Sequence, residues 1–517
     1  MKKFLLIHFI TFGVIQLHAQ IVFQKSFGSP SPSNGMHIVQ SADSSYLACG
    51  TTNGGPNANI YLVKTSPLGN VIWANTYGGN SSDIAASSET TADGGYIVCG
   101  LTNSYGLGFY SDAFLMKLDA GGNVAWAKTY GGNYGEEFFS VVQTADGGYV
   151  AAGYTDRLNN VNGDDIYVVR TNAIGDTLWT KSISMTYAET CNAIRLTSDG
   201  GFILTGTTAT NGLNDAFLLK LDSIGIVQWA KSYGDGTSTI DGSQDVEQTP
   251  DGGYIFAGVT MSFGPNSDEG WLVKCDASGN VTWSKTYGRP NDEGFASIDL
   301  VNGGGYVMTG YTMTHVPNAA MLLRVDANGD TLWMQTYNDA NATRGYDAIQ
   351  TNDNGFALFG NISSPTYSFM FLAKTDALGH TGGCNEAPYT YTIGTPTLVV
   401  SNRSTTVSSG GVVGTVSPFN IPFNSDTDLC LTTPVQEMNR SNDVVKFYPN
   451  PFSTSTRIDV EEAGELIIYN VLGEMVLNIP VNAPYAILEK QMLQEGMYIW
   501  VLKSGDRILS TGKLVAE

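Results

Sequence analysis

The residues in this 517-residue chain best suited to chemistry are carboxylates and aromatics that return at a fixed phase. Asp83, Glu136, Glu189, Asp241 and Glu293 each stand thirteen residues before an aromatic (Tyr96, Tyr149, Phe202, Tyr254 and Tyr306). Ser33 and Thr343 hold the same place before Tyr46 and Phe356. Carboxylates held at one level of a repeated unit could bind a hard cation such as Ca2+, or collar a basic ligand. Their plainer role is to accept backbone N–H bonds and fix the loops they stand in. No other cofactor is indicated. A second set, Tyr105, Phe109, Tyr110, Tyr134 and Phe263, lies in the variable stretches TNSYGLGFYS, GGNYGEE and TMSFGPNSDE. Aromatics beside Asn and Asp suit a glycan, peptide or protein ligand. Catalysis has no motif behind it. Past residue 19 only His37, His315 and His380 remain, at unrelated phases, and HExxH, GxSxG, P-loop and CxxC patterns are missing. The abundant acids leave a polysaccharide lyase or hydrolase as one alternative to a binding module. A purely structural surface protein is another.

The elements that must position these groups follow from the repeat. Seven aromatic anchors, Tyr46, Tyr96, Tyr149, Phe202, Tyr254, Tyr306 and Phe356, are spaced by 50, 53, 53, 52, 52 and 50 residues, and each is followed four residues later by glycine. Such self-similarity means a repeat architecture. Each unit reads as four short strands, A to D. The A–B turn is Asp-Gly-Gly in most copies, and the C–D turn ends in Gly in every copy, as in Asp119-Ala-Gly-Gly122. Both are hairpin chemistry, because glycine reaches positive φ without steric cost. A Trp (Trp73, Trp126, Trp179, Trp229, Trp283, Trp333) precedes each later anchor by 23 or 25 residues, and Phe23 precedes Tyr46 by 23. The last copy lacks a D strand. The expected fold is therefore all-β: a seven-bladed β-propeller over residues 20–382 whose N-terminal strand closes the ring. The repeated Trp is expected to be an apolar plug between blades. The strand-C cation (Lys64, Lys117, Arg170, Lys220, Lys274, Arg324, Lys374) is expected to pair with a carboxylate at the blade edge. Tight A–B and C–D turns should share one face. The longer B–C and D–A loops, with the aromatics, should share the other, and that face is where a ligand is expected.

The KLDAGGNVAWAKTYGG portion resembles the tryptophan-docking repeats of quinoprotein-like propellers, and the whole unit resembles glycine-rich propeller repeats of exported Bacteroidetes proteins. Quinoprotein dehydrogenases carry a vicinal disulfide. This chain has no adjacent cysteines, so a quinone does not follow from the resemblance.

The ends of the chain give an address. Lys2 and Lys3, the apolar run to Leu17 and then Ala19 read as a signal peptide over residues 1–19. No other apolar run is long enough to span a bilayer. A net charge of −22 argues against nucleic acid as a partner. Of six cysteines, Cys49 and Cys99 read as buried thiols, while Cys384 and Cys430 flank a Ser/Thr/Gly-rich stretch, residues 383–442, and are the expected disulfide. That stretch reads as a linker or small insert. Residues 443–517 read as a small Ig-like β-sandwich. Their Tyr448-Pro449-Asn450-Pro451, Gly473, Gly496, Tyr498 and Lys513 resemble the type A C-terminal sorting domain of the type IX secretion system. That resemblance implies recognition by the outer-membrane translocon, and release or attachment to surface lipopolysaccharide.

Overall fold

The computed structural model describes residues 20–517 apart from 29–31, 53–56, 107–109, 157–162, 264–267, 364–367, 429–444, 471–474 and gaps of one to three residues elsewhere. Residues 1–19, Cys384 and Cys430 lie outside the described residues. The chain divides into two compact units, Met1–Leu431 and Thr432–Glu517. No helix among the described residues is long and apolar enough to cross a membrane.

The first unit is all-β, built on seven four-stranded antiparallel sheets in sequence order. The second sheet is typical: Asp83–Thr90 (A), Tyr96–Thr102 (B), Asp112–Leu118 (C) and Val124–Gly131 (D). Strands B and C (YIVCGLT and DAFLMKL) are buried on both faces, which is why they read as apolar runs and not as alternation. The seventh sheet draws its strands from both ends of the unit. Ala342–Gln350, Phe356–Ser363 and Ser368–Thr375 are joined by Phe23–Phe27, paired Phe23↔Lys374 to Phe27↔Met370. Phe27, Ile38, Tyr46 and Ala48 share one apolar core with Ala357, Phe359 and Met370, so the first and seventh sheets are packed together.

Successive sheets are joined by a three-part contact. Trp126 lies edge-on to Tyr149 at 5.8 Å between ring centres, and Trp179, Trp229 and Trp333 meet Phe202, Tyr254 and Phe356 in the same way. Phe23 meets Tyr46 at 6.5 Å. The same Trp126 covers Gly175, whose φ of +78° and lack of a Cβ (one would sit 2.7 Å from the ring) make glycine the residue that fits. Finally the Tyr130 hydroxyl donates to the Gly175 carbonyl at 2.7 Å, and Tyr77, Tyr233, Tyr287 and Tyr337 do likewise for Gly122, Gly279, Gly329 and Gly379. Each aromatic pair is worth about 0.5–1.5 kcal/mol beyond the area it buries. The turn aspartates are occupied locally: Asp119 accepts the Gly121 and Asn123 N–H groups.

Residues 386–428, expected as a linker or small insert, instead add a fifth strand to every sheet. Glu386–Pro388 pairs with the outer strand of the sixth sheet, Thr392–Gly394 with the fifth, Val399–Asn402 with the fourth and Thr406–Ser408 with the third. Val412–Thr415 pairs with the second, Phe419–Pro422 with the first and Asp426–Asp428 with Phe23–Phe27 of the seventh. The physical reason is that seven outer strands each present a row of unpaired N–H and C=O groups. A chain that lays a short strand every six or seven residues satisfies them through its own backbone N–H and C=O groups. We call this segment the belt.

The second unit has two sheets, Val445–Tyr448, Ser455–Val460 and Tyr485–Glu489 in one, and Met475–Val481, Gly464–Tyr469, Gly496–Ser504 and Arg507–Ala516 in the other. They share a core that includes Phe452, Ile458, Leu466, Trp500 and Leu514. The Tyr448-to-Pro451 motif is tied to the chain's last strand, since Asn450 Oδ1 accepts the Val515 N–H at 2.8 Å and Phe452 N–H donates to Val515 O at 3.0 Å. Tyr498 is buried and donates to Gln494 O, Gly496 opens its strand, Lys513 is paired with Ile499, and Tyr448 is exposed. Pro449 and Gly473 lie outside the described residues.

Candidate functional site

The row of carboxylates singled out from the sequence opens the inner strands. All five are buried. Asp83 accepts hydrogen bonds from the hydroxyls of Thr102 and Ser104 (2.6 Å for the second) and from Gly79 N–H at 2.7 Å. Asp241 accepts from Thr260 and Ser262, both at 2.6 Å. Glu136 accepts from Thr155 and from Gly132 N–H, Glu189 from Thr208 and Glu293 from Thr312. Burial pushes Glu136 up to about 7. These groups sit on five different sheets. Among the described residues no three His, Cys, Asp or Glu side chains converge as a metal site would require. Of the aromatics, Tyr110 and Tyr134 are exposed, as a contact residue must be. Tyr105 is half-buried and donates to Gly78 O at 3.1 Å, and Phe263 packs on Trp271 at 6.0 Å between ring centres. Phe109 lies outside the described residues.

A different set of residues converges on a cavity that all seven inner strands line. Every inner strand carries a β-bulge at the same place, between Gly35 and His37, Ala85 and Ser87, Phe138 and Ser140, Cys191 and Ala193, Ser243 and Asp245, Phe295 and Ser297, and Gly345 and Asp347. A bulge leaves one residue outside the ladder and re-aims it. Here those residues, Met36, Ala86, Phe139, Asn192, Gln244, Ala296 and Tyr346, form a collar around an opening of about 280 Å³. The next residues along, including His37, Ser87, Ser140, Asp245, Ser297 and Asp347, form a second level. Two residues further, Val39, Glu89, Val142, Arg195, Glu247, Asp299 and Ile349 line a second space of about 170 Å³.

The lower levels are charged. Arg195 Nη2 lies 2.6 Å from Asp245 and its Nε 2.8 Å from Glu247. Asp347 stands 3.5 Å from His37 Nε2 and accepts Ile38 N–H at 2.9 Å. Glu89 accepts Gln143 N–H at 2.6 Å, Asp299 accepts Gln350 N–H at 2.9 Å, and Asp245 accepts Ile298 N–H at 3.2 Å. Each of these bonds runs to the next sheet's inner strand. Burial pushes Glu89 up to about 7 and Asp299 up to about 6, while Asp245 and Glu247 hold the Arg195 guanidinium fully charged against its own burial.

Sequence reasoning missed this site although a signal was present. The glycine four residues after each anchor lies opposite the bulge. A Cβ on Gly100, Gly153, Gly206, Gly258 or Gly310 would come within about 2.0 Å of an inner-strand carbonyl (Ile84, Glu137, Thr190, Gly242 or Gly294). Glycine recurring inside a strand marks a bulge or a close backbone approach. Counted three residues on from the carboxylate row, the collar can then be named.

Residues 446–517 match the family model of the secretion system C-terminal sorting domain. The chain therefore carries a type IX sorting tail, which indicates an exported protein, secreted or attached to the cell surface. No curated protein matches the chain. Among solved structures, Sqt1 of Chaetomium thermophilum is similar over 68% of this chain and 97% of its own, at 8% identity and a TM-score of 0.39. PorZ, a surface component of the type IX secretion system of Porphyromonas gingivalis, is similar over 96% and 100% at 9% identity and a TM-score of 0.15. Scores this low carry no argument about fold or ligand.

Proposed function

We propose that the seven sheets are the blades of a closed β-propeller, exported through the type IX translocon and working as a non-catalytic binding module at or beyond the cell surface. Its ligand, a glycan, peptide or protein, is met on the face of the B–C and D–A loops. The observation that supports this reading is a cavity to which all seven inner strands contribute, with its bulged collar on the loop side. Variable residues (Met, Ala, Phe, Asn, Gln, Tyr) at one geometrically fixed position are what a recognition surface needs from a repeat scaffold. The test is a glycan and surface-protein binding screen on the secreted chain and on a Tyr110→Ala/Tyr134→Ala variant. Loss of the captured ligand in the variant is expected; retention overturns the loop-face assignment. Deleting residues 443–517 is expected to stop export, with the chain accumulating behind the outer membrane.

A further inference from the structure

The described arginines of the first unit are spent inside the fold, with one exception. Arg170 pairs with Asp146 at 2.6 Å, Arg195 pairs with Asp245 and Glu247, and Arg324 donates to the carbonyls of Val325 and Gly304. Arg344 is exposed, and no described residue hydrogen-bonds or ion-pairs its guanidinium. What holds it is aromatic. Its central carbon stands 4.1 Å from the ring centre of Tyr311 and 5.4 Å from that of Tyr346. Acids are at hand, yet it does not take one. The Tyr311 hydroxyl donates to Asp268 at 3.3 Å, and burial, then Asp292, raise the Asp268 carboxyl while Arg344 offsets only part of this. A guanidinium fixed by stacking has already lost rotamer freedom that binding would otherwise cost.

The stack sits at the loop end of its strands. Tyr311 is near the close of strand B of the sixth sheet, Tyr306–Thr312, and Arg344 near the start of strand A of the seventh, Ala342–Gln350. Tyr346 belongs to the collar as well as to the stack, so Arg344 stands at the mouth of the channel that the collar opens. The collar adds a second aromatic, Phe139, and the amides of Asn192 and Gln244.

We propose that Arg344 binds the carboxylate of a uronic acid residue in a glycan, with the sugar ring on Tyr346 and its hydroxyls toward the collar amides. A carboxylate meets the planar guanidinium fork in two parallel hydrogen bonds. One negative charge suits the place better than a phosphate dianion, because Asp268 and Asp292 stand close by. An aromatic face with amides beside it suits a sugar ring. A peptide C-terminus carries the same carboxylate. An extended peptide, however, is commonly held by a sheet edge, and the belt already occupies the outer edge of all seven sheets. The inference rests on the loop-face reading above and names the class of its ligand.

The test is calorimetric titration of the chain from residue 20 to 517 with trigalacturonate, trimannuronate, methyl-esterified trigalacturonate and tetra-alanine, a peptide with a free C-terminal carboxylate. One uronate site per chain is expected, and esterification is expected to weaken binding at least about tenfold. Arg344→Gln and Arg344→Lys are each expected to weaken it by a similar factor, the second because an ammonium keeps the charge but not the fork. Arg344 has no hydrogen bond to lose among the described residues, so both variants are expected to fold, with thermal midpoints within about 2 °C of the parent. Lys285→Gln removes a cation paired with Asp330 at a C–D turn and is expected to leave uronate binding unchanged. No binding of either uronate at millimolar concentration overturns the proposal. So does uronate binding that esterification or Arg344→Gln leaves unchanged, an equal loss in Lys285→Gln, or binding of tetra-alanine alone. Should the ligand captured in the screen still be lost in Tyr110→Ala/Tyr134→Ala, the loop-face reading survives that failure.

Discussion

Carboxylates occupy two kinds of place in this protein, and the two are opposite in character. On the A–B turns, Asp93, Asp199, Asp251 and Asp353 reach out to the strand-C cations Lys117, Lys220, Lys274 and Lys374 at 2.9 Å, and Asp146 reaches Arg170 at 2.6 Å. In the sixth sheet, where Asn302-Gly303-Gly304 replaces the aspartate, Arg324 falls back on the Gly304 carbonyl. The Thr91 hydroxyl and Lys117 hold Asp93 down at about 2, and Thr144 and Arg170 do the same for Asp146. In the channel the shifts run the other way, with burial raising Glu89 to about 7 and Asp299 to about 6. Wherever a turn acid occurs it is matched to the strand-C cation of its own sheet, as a structural device must be. The channel acids differ from sheet to sheet, and burial raises two of them instead of a partner lowering them.

The strongest way to break the comparison is to abolish the bulge that creates the channel collar. Gly153→Ala would drive a Cβ to 1.9 Å from the Glu137 carbonyl, and backbone cannot yield as a side chain would. A loss of more than about 4 kcal/mol is expected, read as a fall in the denaturation midpoint or as failure to accumulate. Arg195→Met strands Asp245 and Glu247 and is expected to cost about 3–5 kcal/mol at neutral pH, and less at pH 5, where the stranded acids take up protons. Denaturation at the two pH values checks it.

A pH series sharpens the contrast. Glu89 and Asp299 bind their protons more tightly folded than unfolded, where such groups titrate near about 4. Their contribution is therefore complete below about pH 4 and is lost as pH rises through about 6 to 7. Asp93 and Asp146 contribute above about pH 4 and lose that contribution as pH falls toward about 2. Thermal midpoints are expected to peak between these windows, with Glu89→Gln/Asp299→Asn flattening the upper limb alone. The smallest effect belongs to the turns. Asp199→Ala removes a well-exposed partner of Lys220, and solvent screening limits the cost to about 1 kcal/mol.

The fold was legible where physics repeats itself. Anchor, turn glycine and Trp recur because each meets the same partner in the next sheet, and the phase of Phe23 pointed to its place beside residues 368–375. The hydroxyl staple from Tyr130 to Gly175 went unread because a tyrosine beside two glycines looks like turn composition. The carboxylate row was legible as a pattern, but its geometry was not, since spacing cannot say whether an acid faces a cavity or a neighbouring threonine. The bulged residues were hidden because their types share nothing; only their position does. The belt was hidden for a related reason, as short strands of three or four residues that pair through the backbone leave little trace in side-chain pattern.

The belt also sets an order of events. It visits the sheets in reverse and ends on Phe23–Phe27, which itself lies against residues 368–375, so one ladder joins the first strand of the unit to its last four-strand sheet and to the end of the belt. A chain delivered from its N-terminus must hold its opening strand in waiting while some four hundred residues follow, and the fastening is complete only once Asp428 arrives. A product truncated before Asp426 lacks the strand that covers the outer edge of Phe23–Phe27.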